Sequence, residues 1–151
     1  MPQSLSNVLC HLVFSTKNRE PFLDTDVHDD LHAYIGGIAH NLKSNLVKAG
    51  SVSDHLHLLV VQPRTISPAD LIQEIKAGSS KWLKTRGARY HNFHWQNGYG
   101  YFSISPGSHQ QALEAYFERQ AEHHQDETFQ EKYRRILTKY GIEWDERYVW
   151  D

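Results

Sequence analysis

Residues 53–63, SDHLHLLVVQP, set two histidines one residue apart at the head of an apolar run. Side chains at i and i+2 of a strand project to the same side, so His55 and His57 point together. Leu56, Leu58 and Val60 do not alternate cleanly with polar residues, as they would in a half-exposed strand. Much of this strand is therefore expected to be buried on both sides, at the centre of a sheet. Pro63, which has no N–H for a ladder, closes it.

Working outward, residues 46–53 form a second strand candidate, joined to 56–62 by a tight turn near Ser53-Asp54. Upstream, 6–15 (SNVLCHLVFS) reads as a largely apolar strand. Between them, Val27, Leu31, Ile35, Ile38 and Leu42 repeat at helical spacing over 24–42, although Gly36-Gly37 interrupts the pattern. Downstream, Ser67-Pro68-Ala69-Asp70 is a helix start, with a capping Ser, a Pro at the first position and an acid in the first turn. Residues 99–105 form another short strand. Ser108 and Gln111 form a capping-box pattern that opens a helix to about residue 125. A last helix is expected over about 127–140, stopped by Gly141. The order is β-α-β-β-α-β followed by helices. It predicts an α+β, ferredoxin-like split-βαβ domain: an antiparallel sheet with helices on one face, the opposite face left free, and additional C-terminal helices.

Composition narrows the class. The chain has 151 residues, 39% of them hydrophobic, with four Trp, eight Tyr and six Phe. That is enough for one packed domain over 1–151 and too apolar for a disordered chain. Cys10 is the sole cysteine, which rules out an internal disulfide and suits a reducing cytosol. No apolar segment approaches the ~20 residues of a membrane span, and no charged signal-peptide start is present. A cytoplasmic protein without a membrane partner is expected. The formal net charge is -2, yet no acidic residue falls between Glu74 and Glu114. That interval holds Lys76, Lys81, Lys84, Arg86 and Arg89 with His91, His94 and His109. It would make either a local anion-binding face or a solvated basic helix.

Two imidazoles side by side make a bidentate metal clamp. A lone His-x-His is common, however, and reads equally as two structural histidines bonded to backbone; a third ligand is needed. The helix after Ser108 offers one. Leu113, Tyr116, Phe117, Gln120 and His124 share one helical face, with Tyr116 and Gln120 four residues apart. A Gln on such a face needs a partner, and its amide oxygen would complete a neutral His-His-Gln site. Such a site leaves the full charge of a divalent ion to polarise an anionic substrate. Tyr116 would then stand close to the metal as a candidate nucleophile; otherwise it is a core aromatic.

These residues resemble a known family. His55-Leu56-His57, with YFERQAEHH at 116–124 downstream, is similar to the single-tyrosine HUH transposases of bacterial insertion sequences, and most to their relatives associated with repetitive extragenic palindromes. HLVFSTKNREPFL (11–23) looks like that family's opening strand and basic loop. VSDHLHLLV (52–60) looks like its metal strand, WQNGYGYFSIS (95–105) like the strand before the catalytic helix, and AYFERQAEHH (115–124) like that helix. The resemblance implies that Tyr116 attacks a phosphodiester of single-stranded DNA, forming a 5′-phosphotyrosine link and releasing a 3′-hydroxyl. It implies that His55, His57 and Gln120 hold Mg²⁺ or Mn²⁺, that the substrates are DNA hairpins with single-stranded flanks, and that the protein works as a homodimer. Lys17, Arg19, Lys76, Lys81, Lys84, Arg86 and Arg89 become the candidates for phosphate contacts. Two features depart from the family: the slightly acidic net charge, and Phe117 where an aliphatic residue is expected.

Three other readings compete. NGYGYFSI (97–104) is close to the aromatic signature of RRM RNA-binding domains, which share the β-α-β-β-α-β order. That signature belongs on the third strand, whereas here it falls on the fourth. A domesticated relative that binds hairpin DNA without cutting it would not need the tyrosine and the metal residues together. A histidine-triad hydrolase would need a third alternating histidine, and Val60-Val61 occupy that stretch.

Overall fold

The computed structural model describes residues 2–119 and 127–151. Four strands, β1 (Leu9–Ser15), β2 (Asn45–Ser51), β3 (His55–Val61) and β4 (Gly100–Ile104), form one sheet in the order β2-β3-β1-β4. Every neighbouring pair is antiparallel, and β1 and β3 lie at the centre. This is the split-βαβ order expected from the sequence. The register sets Ser15 and Val13 of β1 opposite His55 and His57, and Gly50 of β2 opposite His57 on the other side.

Two helices pack on one face. Helix α1 (His28–Asn41) runs through Gly36 and Gly37 without a break, and α2 (Pro68–Lys84) begins as its sequence predicts. Ser67 Oγ accepts the Asp70 N–H at 3.1 Å, and Pro68 opens the first turn. Leu31 and Ile35 of α1 and Leu71, Ile72 and Ile75 of α2 join Cys10, Leu12, Phe14, Leu56, Leu58 and Val60 in the larger core.

The second sheet face is not free. Helices α3 (Ser108–Glu118) and α4 (Phe129–Lys139) cover it. Val13 and Phe102 pack with Phe129, Tyr133, Ile136 and Leu137 of α4, while Leu9, Leu59 and Ile104 pack with Phe117 of α3. The cause lies in β1 and β3 themselves: strands apolar on both sides would leave Val13 and Leu59 in water without a second layer. The Ser108–Gln111 capping box also does not form. Helix α3 starts at Ser108 after Gly107 (φ 88) with no side-chain cap. It is described from Ser108 to Glu118, and residues 120–125 of the expected helix lie outside the described residues. At α4 the expected stop holds, with Gly141 at φ 68 beyond the last turn, and Thr128 Oγ1 caps the start by accepting the Glu131 N–H at 3.1 Å.

Candidate active site

His55 and His57 sit on a central strand, both 0% exposed, with ring centroids 5.3 Å apart. His55 Nδ1 lies 2.7 Å from Asp54 Oδ1. A carboxylate only accepts, so the network assigns the proton to Nδ1 and leaves the lone pair on Nε2. His57 Nδ1 meets His11 Nε2 of β1 at 2.8 Å. Burial pushes His11 down to about 3 and His57 well below its ordinary value, so both rings are neutral and one donates to the other. With His57 Nδ1–H donating, His57 also presents an Nε2 lone pair. That Nε2 is buried and has no hydrogen-bond partner among the described residues.

Two Nε2 atoms on one side of a strand, each ring held at Nδ1 by a second residue, offer two of the donors a divalent metal would need, that of His55 being shared with the Lys132 ammonium. The unpartnered His57 Nε2 is the observation that fits these residues to an ion. Among the described residues no group of three or more His, Cys, Asp or Glu makes a complete site. Gln120, the expected third ligand, and His124 lie outside the described residues.

Tyr116 reaches this spot from α3 of the same chain. Its ring stands edge-on to His57, centroids 6.0 Å apart at 89°. Burial raises the phenol above its ordinary value, and the positive charge of Arg135 of α4 acts to lower it. Phe117 packs against the rings of His11 and His57, each at 5.4 Å. The aromatic that departs from the family pattern is thus part of the floor beneath the site. Helix α3 can lie this close because Gly50 has no side chain: a Cβ there would meet the Phe117 carbonyl oxygen at 2.9 Å.

Lys132 of α4 completes the cluster. It is 0% exposed, its Nζ donates to His55 Nε2 at 3.2 Å, and it lies 5.2 Å from the Tyr116 ring centroid. Burial lowers its ammonium to about 8, so it is still a cation at neutral pH. Sequence reasoning missed His11, Asp54, Lys132 and Arg135. Lys132 had a visible signal, since it falls three residues after Phe129 on the buried stripe of α4. His11 had a weaker one, as a polar residue between Leu9 and Val13.

The basic candidates do not converge. Lys17 and Arg19 follow directly on β1, whose Ser15 pairs with His55, so they stand at the site's end of the sheet. Lys17 is exposed, and the Arg19 guanidinium lies 6.0 Å from the Trp150 ring. The others lie across the sheet, Lys76, Lys81 and Lys84 on α2 and Arg86 and Arg89 just after it. Lys76 donates to the carbonyls of Gln96, Asn97 and Gly98 at 2.8, 3.2 and 2.6 Å, and burial lowers it to about 8. Arg89 pairs with Asp24 at 2.7 Å and also bonds the Pro21 and Phe22 carbonyls. Arg86 lies 5.2 Å from the Trp82 ring, and Lys81 is exposed; the Lys84 ammonium lies 3.4 Å from Ser80 Oγ. The aromatics of NGYGYFSI are also used up in packing. Tyr99 and Tyr101 pack against the larger core, with the Tyr101 hydroxyl bonded to Gln62. Phe102 stacks on Tyr140 at 4.6 Å beneath α4. The open, aromatic-bearing sheet face of an RRM is absent.

The sequence profile of the family described as transposase IS200 like matches residues 4–120. The chain belongs to the IS200-like transposase family. No curated protein matches it. Two solved structures are similar. A candidate transposase from Deinococcus radiodurans R1 is 21% identical, with a TM-score of 0.60 over 80% of this chain and 95% of that one. A REP-associated tyrosine transposase bound to a REP hairpin is 14% identical, with a TM-score of 0.61 over 82% of this chain and 72% of that one. At these identities the two establish a shared fold. Helix α4, with Lys132 and Arg135, lies beyond the matched segment of this IS200-like transposase. No helix among the described residues is long and apolar enough to cross a membrane.

Proposed function

We propose that this IS200-like transposase cuts single-stranded DNA beside hairpins, with Tyr116 as the nucleophile and Mg²⁺ or Mn²⁺ held by His55, His57 and Gln120. One observation carries the reading: the Tyr116 ring and the unpartnered Nε2 of His57 meet at one buried spot, brought there by two different elements. The phenol oxygen attacks phosphorus, and a P–O bond to the tyrosine forms as the bond to the 3′ oxygen breaks. The proton lost by the phenol ends on that leaving oxygen. The products are a 5′-phosphotyrosine and a free 3′-hydroxyl. A bound divalent ion would polarise the scissile phosphate as a Lewis acid. The chain's own groups supply the rest. Asp54 and His11 fix the two imidazoles, while Lys132 and Arg135 set positive charge beside the phenol, where it favours the developing phenolate and phosphorane charge. A fold neighbour bound to a REP hairpin supports a hairpin-bearing substrate. Lys17 would meet phosphates near the cut, whereas Lys81, Lys84 and Arg86 stand across the sheet from it and have no part in the proposed contact.

The test is covalent capture. Single-stranded hairpin oligonucleotides labelled at the 3′ end are incubated with the protein in Mn²⁺, Mg²⁺ or chelator, then resolved on denaturing gels. A metal-dependent protein–DNA adduct is expected, abolished in Tyr116→Phe and reduced at least a hundredfold in His57→Ala. Hairpin binding without any adduct would overturn the catalytic reading in favour of a non-cutting binder. An adduct undiminished by chelator would overturn the metal, leaving Lys132 as the cation of the site.

A further inference from the structure

Helix α4 presents three cations toward the site at positions 132, 135 and 139, spaced to fall along one side of a helix. Lys132 is the inner member, against His55 and the Tyr116 ring. Arg135 and Lys139 lie further out, lining a cleft of about 200 Å³ between α3 and α4. Tyr116, His11, Leu113 and His109 of α3 line it with them. Among the described residues the carboxylate paired with this row is Glu127, which holds Arg135 at 2.6 Å. A guanidinium has five N–H donors, and Glu127 engages two of them, Nε and one on Nη2.

From this arrangement we infer that the α3–α4 cleft is a phosphate grip for single-stranded DNA, in which Arg135 and Lys139 hold the backbone phosphates that lead to the bond cut by Tyr116. The inference rests on the proposed tyrosine chemistry for the direction of the strand, and on the cleft's own geometry for the binding. A cleft of about 200 Å³ between two helices is too small for a duplex and suits part of one nucleotide, its phosphate and sugar. Apolar walls from Leu113 and Ile136 suit the sugar and base, while the cations at the mouth suit the phosphates. The row lies on the C-terminal helix, outside the segment that matches the family.

The experiment is binding of a 5′-fluorescein hairpin oligonucleotide with single-stranded flanks, followed by anisotropy across a series of salt concentrations. All proteins carry Tyr116→Phe, so no cleavage occurs and the result does not depend on the identity of the nucleophile. Arg135→Gln with Lys139→Gln removes two exposed side chains from α4 and leaves its buried face intact. Each phosphate contact to a single strand contributes about 0.7 to the slope of log K against log salt, so the double variant should lose about 1.4 in slope. Affinity at low salt should fall at least tenfold. Lys81→Gln with Lys84→Gln, on the far face, removes the same charge and should keep the slope at the cleft. A double α4 variant whose slope and affinity are unchanged would overturn the grip. So would an equal loss in the α2 pair, which would reduce the effect to overall charge. The absence of an adduct in the separate capture assay, with the slope lost here as expected, would overturn the tyrosine reading and leave the grip standing.

Discussion

At the scale of single residues, His57 depends on a neighbour that no local pattern points to. Its Nδ1 lies 2.8 Å from His11 Nε2, across 46 residues of chain. If that contact fixes the tautomer that exposes Nε2, His11→Phe should weaken Mn²⁺ binding 10- to 100-fold by calorimetry. His11→Gln, which keeps a polar partner, should restore most of it; equal affinity in all three proteins would remove His11 from the site. The same burial makes stability depend on pH. His11 and His57 are neutral when folded, with values depressed by burial, His11 to about 3. The unfolded chain therefore binds more protons below the ordinary histidine value of about 6.5. Their contribution is fully present above that pH and is lost as pH falls through the window toward about 3, by up to about 1.4 kcal/mol per pH unit for each ring. Urea unfolding at pH 7 and pH 5 should show this loss, and His11→Phe should make it shallower by about one proton. His55 and His57 were legible in the sequence because i, i+2 spacing is a local rule. His11 and Lys132 were not: Lys132 meets His55 across 77 residues, a contact that only the register of β1 and the docking of α4 create.

At the scale of elements, two glycines allow two helices to approach the sheet. A Cβ on Gly50 would lie 2.9 Å from a backbone oxygen of α3, which cannot swing aside. A Cβ on Gly100 would meet Phe102, Val13 and Tyr133 at 2.7 to 2.9 Å beneath α4. Gly50→Ala must therefore lift α3 and with it Tyr116, at a cost of about 1–3 kcal/mol by overpacking. Adduct yield should fall together with the urea midpoint. Gly37→Ala is the contrast, since its Cβ meets nothing within 4 Å and it lies inside α1. It should stabilise the fold by up to about 1 kcal/mol and leave the adduct yield unchanged. Helix starts show the limit of local signals. Ser67 caps its helix as the sequence suggests, and Thr128 caps α4 without having been singled out. Ser108 does not, because the chain leaves Pro106-Gly107 with Gly107 at φ 88 and Ser108 already inside the helix.

At the scale of the whole molecule, the order of elements was readable because β-α-β-β-α-β with short turns admits few sheets. The second layer was not, since an amphipathic helix shows that it packs but not on which face. Covering that face is what assembles the site. His11 comes from β1, His55 and His57 from β3, Tyr116 from α3 and Lys132 from α4. No stretch of unfolded chain holds these groups together, so a divalent ion that binds them binds the folded state alone. Its binding energy then adds to folding: at a hundred times its dissociation constant the ion should stabilise the protein by about 2.7 kcal/mol. For a chain of this size that corresponds to a rise in Tm of roughly 5–10 °C. Differential scanning fluorimetry with Mn²⁺ should show the rise growing logarithmically with concentration, and His55→Ala with His57→Ala should abolish it. Lys132→Met separates two roles for the ammonium now bonded to His55 Nε2. A larger rise in this variant means that the ammonium competes with the ion for His55. A smaller one means that it holds the ring ready for the ion. A Tm in the parent protein that Mn²⁺ and Mg²⁺ leave unmoved would show that the paired histidines serve the fold and not a metal.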